Sequence, residues 1–270
     1  MKFLLPWLLL LVGCANGRDA RPNAERIAAA GGLSRIELAA PPFRLVAYTR
    51  FAPSSVLRVY IEGDGHAWAS PDQPSDDPTP WSPVALSLAV RDPAASVAYL
   101  GRPCQYVLPG SDGACESFFW TDGRYHETVI ASMNAAVERL RLMSGAKMLE
   151  FVGFSGGGAV AALIAARRHD VANLRTVGAN LDTAEWTARQ RLRPLRNSLN
   201  PADFADRLAL LPQIHFSGRE DSVVDTAVAR AYRARFTHPA CIDIAVVSGA
   251  GHGTGWAEPW PDLLRRAMPC

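Results

Sequence analysis

Gly153-Phe154-Ser155-Gly156-Gly157-Gly158 is the stretch on which the reading of this chain turns. Before it runs Lys147-Met148-Leu149-Glu150-Phe151-Val152, an apolar, strand-like segment. After it, residues 159–168 are rich in Ala and end in two Arg, both strong helix formers. A strand, a tight glycine turn with one serine at its tip and a helix form the context in which G-x-S-x-G exposes a reactive hydroxyl. Glycine is needed there because the serine sits on a strained turn, where a Cβ on its neighbours would meet the strand or the helix. The helix N-terminus beside the serine favours developing negative charge. Ser155 is therefore the candidate nucleophile, with a plain glycine-rich βα turn as the alternative.

The chain has 270 residues and is 49% hydrophobic, enough for one large α/β domain with a sizeable core. A formal net charge of +2 is too small to imply a nucleic-acid surface. Long charge runs and internal repeats are absent from the sequence.

The N-terminus reads as an address. Met1-Lys2 supplies a short positive start, and residues 3–12 are an apolar core interrupted by Pro6. That span is too short for a transmembrane helix and suits a signal peptide. Leu11-Val12-Gly13-Cys14 resembles the lipobox of bacterial lipoproteins. The resemblance implies cleavage after residue 13, lipid on Cys14, a membrane anchor and, with Ala15 following, an outer-membrane location facing the periplasm. An ordinary secretory signal cut near Ala15 or Ala20 is the alternative. Residues 14–32 are then the lipidated cysteine and a polar tether, and 33–270 the folded domain.

Setting Cys14 aside leaves Cys104, Cys115, Cys241 and Cys270. Four cysteines in an exported chain point to two disulfides with three possible pairings. Proximity along the chain and the inferred topology favour Cys104–Cys115 and Cys241–Cys270. A zinc site is the competing reading, but no CxxC pair is present. No cofactor or metal is expected.

Along the domain, 35–38 and 43–50 alternate as an antiparallel opening pair, and 57–61 is a buried strand running into Glu62-Gly63-Asp64-Gly65-His66. The Pro- and Asp-rich 71–83 reads as loop, 84–90 as a short helix and 96–100 as a strand. Residues 104–125 are irregular and 126–143 helical. After the glycine turn and its helix come a strand at 174–179, a small helical insertion at 183–211 following Asp182, a strand at 213–217, a helix at 227–236, a strand at 242–247 and a closing helix at 256–268. Strands alternating with helices predict a mainly parallel sheet covered on both faces.

A serine hydroxyl needs a base to take its proton and a group to orient that base. His252 is the best base. It lies in Gly251-His252-Gly253, a glycine loop after the last strand. His215 falls inside a strand and reads as a core histidine; His126 and His169 sit at helix ends, and His238 precedes a proline. Asp221, four residues beyond the penultimate strand, is the best orienting acid. Asp225 fits a helix cap, and Asp182 is the rival acid.

Gly153…Gly157, the Gly218…Asp221 turn and Gly251-His252-Gly253 come in the chain order Ser, Asp, His, and on them the chain resembles the α/β-hydrolase superfamily over 33–270. The resemblance implies a mainly parallel α/β-hydrolase sheet, no cofactor and acyl transfer through an acyl-enzyme on Ser155. Its oxyanion hole would use the Gly156 amide and a second amide from the loop after the third strand, Asp64 first and Gly65 next. Where the family often has His-Gly at that loop's start, this chain has Glu62-Gly63. The implied substrate is a small-molecule or lipid ester. The same triad also serves acyltransferases and peptidases, and a non-catalytic binding lipoprotein is the reading from a different class. Trp68, Phe118, Phe119, Trp120 and Trp256 lie on loops near these motifs, either lining an acyl pocket or packing the loops down.

Overall fold

A computed structural model describes residues 19–270. The elements in order are α1 (Arg21–Ala30), β1 (Ser34–Ala40), β2 (Phe43–Arg50), β3 (Val56–Ile61), β4 (Trp68–Ser70), β5 (Gln73–Pro74), α2 (Val84–Ala89), β6 (Val97–Leu100), α3 (Glu127–Ser144), β7 (Met148–Phe154), α4 (Gly156–Ala165), β8 (Val171–Val177), α5 (Thr183–Arg189), α6 (Ala205–Leu208), β9 (Gln213–Gly218), α7 (Thr226–Ala234), β10 (Ile242–Val247) and α8 (Trp260–Leu264). One eight-stranded sheet runs β1-β2-β6-β3-β7-β8-β9-β10. β2 is antiparallel to both its neighbours, and every pairing from β6 to β10 is parallel. This is the mainly parallel, helix-covered sheet expected above.

The sheet has a core on each face. On one, α3, α4 and α7 pack through Met133, Val160, Leu163 and Tyr232; on the other, α1, α2 and α8 pack through Ala24, Leu86 and Trp260. All ten residues of α4 are buried. Its run of Gly and Ala lets the helix lie close against the strands, so apolar area is removed from water on almost every side of it, at roughly 25 cal/mol per Å². The C-terminal ends of β3, β7, β8, β9 and β10 lie in register along the same edge of the sheet, which brings the loops after them together.

Several expectations are corrected. The stretch read as a tether folds from Arg21 onward: α1 buries Ala24 and Ala28, four residues apart on one helix face, against α2 and β1. The polar, small-residue composition concealed this, because alanine contributes burial with little hydrophobic signal. The 71–83 loop contains the short strand β5, which pairs antiparallel with β4 just before the loop. The closing helix shrinks to Trp260–Leu264, because Pro259 and Pro261 confine its start and the chain then turns toward Cys270. The 183–211 insertion is helical only near its ends, and 190–200 is irregular. The structure joins Cys104 to Cys115 and Cys241 to Cys270, tying the chain's end to the start of β10. Cys14 and the lipobox lie outside the described residues.

Candidate active site

The turn at Ser155 is built by local chemistry. Ser155 has φ 50° and ψ −124°, a left-handed conformation rarely adopted by a side-chain-bearing residue. Its carbonyl accepts from the Gly158 N–H at 3.0 Å, and its N–H donates to the Val177 carbonyl of β8 at 2.9 Å. A Cβ at Gly157 would overlap the backbone carbonyls of Ile61 and Glu62, so only glycine lets α4 start this close to β3. The strand and helix thus hold the serine at the tip of the turn between them.

Ser155 Oγ lies 3.0 Å from His252 Nε2, and His252 Nδ1 lies 2.9 Å from Asp221 Oδ2. Asp221 is 4% exposed, and its other oxygen accepts the N–H groups of Val223 at 2.9 Å and Val224 at 2.8 Å. The carboxylate is therefore fixed by its own turn and leaves one oxygen aimed at the imidazole. In the matching tautomer, Nδ1–H donates to Asp221 and Nε2 is free to accept the serine proton. The histidine loop is pinned from below by buried Trp256, whose Nε1–H donates to the carbonyls of Gly251 and His252 at 2.8 and 3.0 Å.

The loop after β3 closes over Ser155. Gly63 approaches so closely that a Cβ there would sit 3.2 Å from the Ser155 Cβ. The Gly63 N–H is engaged by the Glu62 carboxylate at 2.9 Å. The N–H groups of Asp64, Gly65 and Gly156 have no protein partner among the described residues. The Asp64 side chain reaches Gly156, where a Cβ would run into its carboxylate. Arg102 and Arg124 hold that carboxylate at 3.2 and 2.7 Å. Burial opposes ionisation of Asp64, but Arg124 and then Arg102 outweigh it and hold the carboxyl below its ordinary range. Glu62 is the opposite case: fully enclosed, it is pushed up by burial to about 7, although Gly63, Ala85 and Tyr99 donate to it.

The remaining candidates separate cleanly. Asp182 caps α5, accepting from the N–H groups of Ala184 and Glu185 at 3.2 Å, and Asp225 caps α7. His215 is buried in β9 with Nδ1 2.8 Å from Thr176 Oγ1, and burial pushes its pKa down to about 3. His126 caps α3.

Ser155 and His252 open onto a cleft of about 1460 Å³. Of the five aromatics named from sequence, Trp68 lines it. Trp120 is buried, with Nε1–H donating to the Ser75 carbonyl; Phe118 and Phe119 pack against His126, and Phe119 also against Phe43. Trp81 and Trp186 are lining residues that the sequence reading missed. Trp81 ends the Pro-rich loop, and Trp186 lies in the insertion, so neither stands next to a motif. Arg102 and Arg124 were also missed. They reach Asp64 from 38 and 60 residues away, with no local signal.

No protein-family model matches the chain, and no curated protein matches it in sequence. Solved structures do. An α/β serine hydrolase homologue from Coxiella burnetii aligns with TM-score 0.56 and 15% identity, over 85% of this chain and 93% of its own. A Xanthomonas campestris protein, described as an α/β serine hydrolase without a lid, aligns with TM-score 0.56 and 14% identity, over 88% and 96%. An esterase from Pyrococcus furiosus gives TM-score 0.59 and 15% identity, over 86% and 87%. The chain has the α/β-hydrolase fold.

Proposed function

We propose that this protein is a serine hydrolase that cleaves a carboxylic ester, or a related acyl bond, through an acyl-enzyme on Ser155. The observation that carries the reading is the unbroken relay from Ser155 Oγ to His252 to buried Asp221, at 3.0 and 2.9 Å. His252 Nε2 takes the serine proton as Oγ bonds to the carbonyl carbon. The amides of Gly156 and Asp64 receive the oxyanion, with Gly65 next to them; one such donor is typically worth ~10²–10³ in rate. The imidazolium returns its proton to the leaving alkoxide as the C–O bond breaks. Water, deprotonated by the same nitrogen, then releases the acid and restores Ser155. The esterase and serine hydrolase neighbours support the reading at the level of the fold.

A fluorophosphonate probe tests it. Labelling that disappears in Ser155→Ala, together with release of p-nitrophenol from short acyl esters, is the expected result. An unlabelled Ser155 sinks the reading. From sequence alone, the proposal extends to a lipid anchor on Cys14 and to an envelope location facing the periplasm. Mass spectrometry of the mature N-terminus should find a triacylated or diacylated Cys14, and an unmodified cysteine would retire that extension.

A further inference from the structure

Two unlike stretches line the cleft. Trp68 and Trp81 stand on one, 40% and 55% exposed, with the Trp81 ring stacked on His66 at 4.3 Å. The other is the irregular stretch 191–196, Arg-Leu-Arg-Pro-Leu-Arg, all six residues of which line the cleft. Arg191, Arg193 and Arg196 are exposed, and among the described residues no carboxylate lies within 4.0 Å of any of them. Their neighbour Arg189 shows that local carboxylates are available for pairing: it reaches Asp225 at 2.6 Å and Glu185 at 3.5 Å. Arg102 and Arg124 are already committed to Asp64. Three like charges in six residues repel one another, and a bound anion relieves that repulsion.

No carboxylate of the cleft pairs with these three arginines among the described residues. Asp64 is neutralised by its two arginines; Asp122 accepts from the neutral Asn197 amide and keeps its charge, beyond 4.0 Å of all three guanidinium groups. Asp72 accepts from Ser70 on the tryptophan side, and Glu62 is enclosed at the floor. The result is a cleft lined both by exposed aromatic side chains and by guanidinium forks without a carboxylate partner, which match phosphate and carboxylate oxygens in bidentate geometry.

Resting on the hydrolase reading, we propose that the substrate is an amphiphilic ester bearing an anionic group, phosphate or carboxylate. The anion sits on Arg191, Arg193 and Arg196, and the apolar portion lies along Trp68 and Trp81.

Two matched substrates test this: p-nitrophenyl hexanoate and the p-nitrophenyl monoester of adipate, which differ only in a terminal carboxylate. The expected kcat/KM favours the adipate ester by about tenfold at low salt. The preference shrinks at high salt, as screening requires. It collapses toward unity in Arg191→Gln/Arg193→Gln/Arg196→Gln. It persists in Arg139→Gln/Arg230→Gln/Arg233→Gln, which removes three exposed charges from α3 and α7. Equal rates for the two esters, or a preference that survives the cleft variant, overturn the proposal. An independent binding measurement uses Ser155→Ala and tryptophan fluorescence, with decyl phosphate and decyl glucoside below their micelle concentrations. Tighter binding of decyl phosphate by about tenfold, lost in the cleft variant, is expected. Binding only to phosphatidylglycerol vesicles, and not to monomeric decyl phosphate, would instead make the arginines a bilayer contact and overturn the proposal. If neither ester turns over, the hydrolase reading fails, and the binding measurement still decides whether the arginines take an anion.

Discussion

β8 and β9 are parallel neighbours, and each ends in a turn carrying a buried aspartate, yet the two aspartates have different work. Asp182, after β8, spends Oδ1 on the N–H groups of Ala184 and Glu185 and on the Asn200 amide, all at 3.2 Å. Asp221, after β9, spends Oδ1 on Val223 and Val224 and turns Oδ2 to His252. The local chemistry is the same: a short carboxylate satisfying two backbone donors of the next turn. What differs is the partner across the gap. Only the loop after β10 delivers an imidazole, and it delivers it to Asp221. On the hydrolase reading, a cap becomes an orienting acid when its second oxygen is given a histidine.

The strongest way to break this comparison is to make the same change at both positions. Asparagine preserves Oδ1, so either turn can keep its backbone bonds. At Asp221, however, it replaces the oxygen facing His252 Nδ1–H with an amide nitrogen that cannot accept. Asp221→Asn should therefore lower kcat/KM for a p-nitrophenyl ester by about 10³–10⁴, with the wrong histidine tautomer favoured and the thermal melt little changed. Asp182→Asn should leave kcat/KM within about twofold, since the cap survives. Equal losses in the two variants would show that burial at a strand end, and not the imidazole contact, makes the acid.

Glu62 sharpens the contrast from the other side. It too stands at a strand end, but it faces no cation or imidazole, so burial dominates and its carboxyl is pushed up from 4.5 to about 7. The unfolded chain loses this proton near 4.5, while the folded chain keeps it to about 7. Between those values the folded state binds more protons, so stability falls as pH rises through the window and then levels off. Glu62→Gln has no such slope and can still accept from Gly63 N–H. Urea melts at pH 4.5 and 7.5 should show the variant gaining on the native chain by about 3 kcal/mol across the window. Taking the difference between the two proteins removes contributions from the other titrating groups. A gap that does not change with pH would mean that Glu62 is solvated or compensated.

How much of this was legible in the sequence follows from how local each feature is. The elbow was readable because its determinants are consecutive: three glycines after Ser155, a strand before and a helix after. His252 and Asp221 were readable through chain order, although nothing in the residues flanking Asp221 separates its turn from that of Asp182. The histidine decides between them, and it is 31 residues further on. The Asp64 cage was not readable, because Arg102 and Arg124 come from the irregular stretches after β6 and before α3 and have no periodicity. α1 was missed because its buried face is two alanines, and two of the cleft's tryptophans because Trp81 on its loop and Trp186 on α5 have no motif beside them.

The smallest effect concerns the cap itself. Asp182→Ala removes the acceptor for two N–H groups at the start of α5 and for the Asn200 amide, which otherwise ties the two ends of the insertion together. Losing an N-cap of this kind costs about 1 kcal/mol, or roughly 2–4 °C in Tm for a domain of this size. Asn200 still accepts from the Thr183 N–H at 2.9 Å, so the insertion keeps one of its two ties. Since Ser155, His252 and Asp221 are anchored by β7, α4 and the loops after β9 and β10, kcat/KM for a neutral ester should stay within about twofold. Thermal melts and p-nitrophenyl ester kinetics on the same preparation read both quantities. A large loss of turnover at unchanged Tm would place Asp182 in the chemistry and dissolve the distinction between the two strand-end aspartates.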